Sequence, residues 1–191
     1  MKSLPHFLMD AISKEFHFPH VKGDKNTLRL IEDQVPLASV DIKIKNSDNI
    51  SCFSFDKKRQ PKSGDAIFPF FNASEGGLCT KNDYILVCQK GNQVYVFLIE
   101  LKSKNTGDYL KQLKAGKLFF QFIIDRIKLF NSDFQDLDKD NLHYKGILFR
   151  IDRTTPNKGT TKQRKLEFNK TPDLDVCILN YENFYHLSQF V

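Results

Sequence analysis

The sequence predicts an α/β domain with a central mixed β-sheet flanked by helices, and three observations carry that expectation. Two β-rich runs, "DYILVC" and "QVYVFLIELK", are separated by a few residues in which Gly91 and Asn92 suit a tight primed turn. Over residues 107–130 the apolar period then changes to 3.6, with Leu110, Leu113, Phe120, Ile123, Ile124 and Ile127 on one face. Two further β-rich runs follow, "YKGILFRI" and "DVCILNY". Strands, one long helix and more strands in that order make a mixed sheet with a helical crossover.

The segments before the hairpin complete the layout. "SLPHFLMDAISKEF" reads as a helix with Ser3 as N-cap and Pro5 in the first turn. "NTLRLIEDQ" reads as a second short helix that stops before Pro36. "SVDIKIK" and "ISCFSF" alternate like strands, and the basic loop "DKKRQPKSGD" follows. Asp108 or Thr106 can cap the long helix. The expected organisation is one domain, residues 1–191, with N-terminal helices over 1–36 and a core over 37–191.

Composition narrows the function classes. The chain has 191 residues, is 40% hydrophobic and carries 18 Phe with no Trp, enough for a sizeable core. No run of 18 apolar residues exists, so no membrane-spanning helix is expected. The N-terminal apolar run is too short for a signal peptide and is interrupted by Asp10. Cys52, Cys79, Cys88 and Cys177 show no paired spacing and read as reduced core residues of a cytoplasmic protein. A net charge of +6 favours polyanionic partners, nucleic acid before acidic lipid. His17 and His20 flank Pro19 without a nearby cysteine and read as loop residues, and no Walker-type loop, GxGxxG or GxSxG is present.

The chemistry concentrates where the hairpin's second strand ends. An acid two residues before a lysine occurs three times, at Asp41, Asp56 and Glu100, so the pattern alone says little. The hairpin register says more. With Gly91 and Asn92 in the turn, Lys90 faces Gln93 and Asp83 falls opposite Glu100, on one face, with Lys102 on that face as well. Two carboxylates so close repel unless a cation joins them. Hard oxygen ligands suit Mg²⁺ or Mn²⁺, and a neighbouring lysine can hold an attacking water or offset charge on a phosphate. The bland reading of the same residues is a solvated strand end closed by a cross-strand ion pair.

In "NDYILV", "IELKSK" and "YLKQL", within an order of elements spanning residues 27–181, the chain resembles the PD-(D/E)XK nuclease superfamily. The resemblance implies a restriction-endonuclease-like core and metal-dependent hydrolysis of phosphodiester bonds, in DNA rather than RNA, within a prokaryotic restriction or defence setting. It makes Asp83 and Glu100 metal ligands and Lys102 the catalytic lysine, with Asn82 standing where the superfamily carries a proline. It also makes Gln112 a candidate catalytic glutamine, on a helical stripe whose small residues Ala115 and Gly116 would let the helix approach the sheet. Glu32, with Glu15 as competitor, is the candidate third acid. Arg150, Arg153, Lys158, Lys162, Arg164 and Lys165 are the candidate phosphate contacts, which position nucleic acid without reading its sequence. "KKRQPK" could serve the same end. Expected partners are DNA and a second copy or a larger defence complex, with no membrane. The alternative is a catalytically weakened nuclease-fold subunit that binds nucleic acid or a partner protein.

Overall fold

The computed structural model describes residues 2–18, 24–31, 39–45, 49–55, 79–102, 107–150, 165–181 and 184–191. Helix α1 (Leu4–Ala11) is followed by a 3₁₀ turn (Lys14–Phe16) and by strands β1 (Thr27–Ile31), β2 (Ser39–Lys43) and β3 (Asn49–Phe53). The hairpin strands are β4 (Tyr84–Lys90) and β5 (Gln93–Lys102), and the long helix is α2 (Tyr109–Phe130). Strands β6 (Leu142–Arg150), β7 (Asp175–Asn180) and β8 (Phe184–His186) complete the order.

Two mixed sheets result. The larger runs β3-β4-β5-β6-β7, and the smaller runs β1-β2-β8. In the larger sheet β3/β4 and β4/β5 are antiparallel, whereas β5/β6 and β6/β7 are parallel. Helix α2 is the crossover that parallel pairing of β5 and β6 requires. The start of β4 and the ends of β5, β6 and β7 therefore share one edge of the sheet, and α2 sets out from that edge.

Each face of the large sheet is covered, so its central strands are apolar on both sides. One face packs against the helices: Leu4 and Leu8 of α1, and Leu113, Phe120 and Ile124 of α2, meet Ile85, Val87, Val96 and Leu98. The opposite face, with Leu86, Phe97, Ile99 and Phe149, packs against Leu28, Leu30, Val40 and Ile42 of the small sheet. Three of the four free cysteines are buried in these layers, and burial pushes the Cys52 thiol up to about 12.

The N-terminal boundary differs from expectation. Residues 27–31 form a strand, so helices do not fill residues 1–36. Leu28 and Leu30 point inward while Arg29 and Ile31 point out, a period of two. Across the pair Arg29 forks onto Asp41, at 2.7 and 2.8 Å, the cross-strand geometry guanidinium and carboxylate favour. "LRLI" offers apolar residues at both helical and strand spacing, and the partner strand β2 decides between them. Strand β8 was not foreseen, because three residues carry too little pattern.

Candidate functional site

The Gly91–Asn92 turn sets the register on which the site depends. Gly91 has φ 57°, which an L side chain adopts only with strain. Tyr84 pairs with Ile99 and Lys90 with Gln93, the register read from the sequence. Continued by one step beyond β4, it brings Asp83 opposite Glu100.

Here β4 leaves the ladder and side chains replace its backbone. Asp83, half-buried at a bend, accepts the Leu101 amide on Oδ2 at 2.7 Å. Asn82 is buried and donates Nδ2 to the carbonyls of Tyr84 and, at 3.4 Å, Ile99. A Cβ on Gly116 would come within 2.6 Å of Asn82 Cγ, so the missing side chain lets α2 press onto this corner. The close approach expected of the Ala115–Gly116 stripe is thus present. Gln112 is half-buried one turn nearer the start of α2.

Glu100 is the unusual residue. Its exposure is 0%, and its carboxylate is met by the Lys102 ammonium and the Asp83 backbone N–H, neither in good hydrogen-bonding geometry. Lys102, two residues on, brings its ammonium to 2.7 Å from Glu100 Oε1 and keeps a quarter of its side chain in solvent. Burial pushes the Glu100 carboxyl up to about 8, and the nearby Asp83 carboxylate adds to the shift; Lys102 opposes it but does not cancel it. Burial thus favours the protonated form of this carboxyl. Two carboxylates at one corner, one of them buried without a well-formed hydrogen bond, are a donor set of the hard-oxygen kind that Mg²⁺ or Mn²⁺ would accept.

Parallel pairing places Arg150 beside Lys102 at the same edge, exposed. Lys165 lies elsewhere. Its charge acts on Lys145, which stands over the Tyr95 and Phe168 rings on the small-sheet side. Leu166 and Phe168 anchor that stretch to the core, and Asn169 exchanges backbone bonds of 2.9 Å with Val176. Residues 165–170, the described end of the expected solvated loop, are therefore partly packed on the small-sheet side. Arg153, Lys158, Lys162, Arg164 and "KKRQPK" fall outside the described residues.

The two candidates for a third acid differ. Glu15 is exposed in the 3₁₀ turn, where Ser13 donates to it at 3.2 Å. Glu32 lies outside the described residues. Its neighbour Ile31 is held at the sheet edge, with its amide on the Tyr84 hydroxyl at 3.2 Å and its carbonyl accepting from it at 2.8 Å. Tyr84 belongs to the small-sheet side, opposite the face that carries Glu100. Among the described residues no group of three His, Cys, Asp or Glu side chains comes together. The chain matches no family model, no curated protein and no solved structure.

Sequence reasoning brought Asp83, Glu100 and Lys102 together through register, and it noted Asn82 only as standing in place of a proline, without a role. The available signal was a polar residue at a strand start facing a helical stripe of small residues.

Proposed function

We propose that the protein is a metal-dependent nuclease of the PD-(D/E)XK type, with Asp83 and Glu100 as metal ligands and Lys102 as the catalytic lysine. One observation carries the reading: a fully buried glutamate, met among the described residues only by its own lysine and the Asp83 backbone and without a well-formed hydrogen bond, sits at a strand end beside a second carboxylate. Burying a carboxyl without a well-formed hydrogen bond costs up to about 1–3 kcal/mol, and a solvated strand end would have no reason to bear that cost.

Mg²⁺ or Mn²⁺ held by Asp83 and Glu100 would polarise a phosphodiester and a bound water. Glu100 must give up its proton to serve as a ligand, which the cation and Lys102 together favour. With such an ion held there, Lys102 would stand near the developing charge on phosphate and the attacking water, where its ammonium would favour both. Arg150 at the same edge can hold a neighbouring phosphate. DNA is the proposed substrate and a restriction or defence system the proposed setting, both on the superfamily resemblance.

The test is cleavage of plasmid and linear DNA with Mg²⁺ or Mn²⁺, stopped by EDTA. Glu100→Gln and Lys102→Ala should each reduce the rate by about 10² or more while DNA binding persists. A second reading rests on the hydrogen bond from Leu101 to Asp83, which gives that carboxylate a structural task. On it the domain is a weakened nuclease-fold subunit that binds nucleic acid or a partner protein. DNA binding without cleavage, unaffected by either substitution, favours that alternative.

A further inference from the structure

At the corner where β4 begins, a primary amide does three things at once. Asn82 is 2% exposed. Its Nδ2 serves the carbonyl of Tyr84 on its own strand and that of Ile99 on the neighbouring strand, which ties β4 to β5. Its Cγ and Oδ1 fill the hollow that Gly116 leaves in α2. The residues on either side of these tie points are the two carboxylates: Asp83 follows Asn82, and Glu100 follows Ile99. An amide has two N–H groups on one nitrogen, so it can grip two strands from one point. An aliphatic side chain of equal size could fill the hollow but could not do so.

We infer that Asn82 is a positioning residue, holding the Asp83 bend against β5 so that the Asp83 and Glu100 carboxylates face one another. The function of that placement rests on reading the pair as a metal site. The placement itself does not, because the Leu101 amide reports it: the hydrogen bond from Leu101 to Asp83 Oδ2 exists only while the bend is held.

A merely space-filling Asn82 behaves differently, and Gly116 allows the two roles to be separated. Asn82→Ala empties the hollow and removes the donor together. Adding Gly116→Ala returns a methyl to the emptied space without returning the donor. Hydrogen exchange of the Leu101 amide should accelerate about tenfold in Asn82→Ala, the scale of one net hydrogen bond, relative to Val87 and Val96 further along the hairpin. In the double variant the melting temperature should recover toward the wild type, while Leu101 exchange stays fast. Mn²⁺ affinity, titrated through the signal of the free ion, should fall in Asn82→Ala and remain low in the double variant. Unchanged Leu101 protection in Asn82→Ala overturns the inference. So does protection that returns with the melting temperature in the double variant, since packing alone then accounts for Asn82. A wild type that takes up no Mn²⁺ counts against the nuclease reading, and the exchange comparison still decides the role of Asn82.

Discussion

Glu100 differs from an ordinary strand glutamate in its proton. An acid whose folded value is about 8 against an ordinary 4.5 keeps its proton across that window while the unfolded chain has lost it. The unfolded state then binds fewer protons than the folded one, so stability falls as pH rises between those values and levels off above the upper one. The fall attributable to Glu100 is at most about 1.4 kcal/mol per pH unit. Denaturant midpoints measured in EDTA from pH 5 to 8 (about the span of the two values) should decline more steeply for the wild type than for Glu100→Gln. Equal slopes would mean that Glu100 ionises normally. Lys102→Ala should extend the decline to higher pH, because the ammonium opposes the shift. The positions of Asp83, Glu100 and Lys102 were readable in advance because alternation and a two-residue turn fix them. The complete burial of Glu100 was not, since it depends on how the layers close around the strand end.

At the level of elements, the hairpin and α2 do different work. The turn at Gly91 holds the register, and a one-residue insertion there would send Asp83 and Glu100 to opposite faces. Helix α2 holds the depth, and glycines allow its approach. A Cβ on Gly146 of β6 would meet Leu113 Cδ1 at 2.9 Å and side-chain carbons of Leu174 and Val176 at 3.1 Å. Gly146→Ala should therefore lower stability by about 1–3 kcal/mol, the usual cost of overpacking, although alanine is no worse than glycine in a strand. A thermal or urea melt measures it, and a neutral result would show that α2 can shift freely over the sheet. The strands and the long helix were legible because each repeats one period over several turns or alternations. The β1 strand was not, because Leu28, Leu30 and Ile31 satisfy both periods and only pairing with β2 chooses. The basic run over 150–170 hid Leu166 and Phe168, whose burial turns part of an expected loop into a packed segment.

Across the whole molecule, charge and layers set where a polyanion could lie. The net charge is +6, and no helix among the described residues is long and apolar enough to cross a membrane. Arg150 shares the edge with Lys102, while Lys165 belongs to the small-sheet side, so the two candidate contacts should not contribute equally. Arg150→Ala should reduce the slope of log affinity for duplex DNA against log salt by about 1, as expected for one phosphate contact. Lys165→Ala should leave the slope nearly unchanged. Equal losses would mean that DNA wraps both faces, and no salt dependence in the wild type would leave the basic charge without this role.

The central claim is that Asp83 and Glu100 share a divalent cation. A crystal grown with Mn²⁺, with anomalous scattering recorded near the manganese edge, tests it most directly. The account predicts an anomalous peak coordinated by carboxylate oxygens of both Asp83 and Glu100, with the Lys102 ammonium moved off Glu100 Oε1. A peak elsewhere, or no peak with Lys102 still against Glu100, would contradict it.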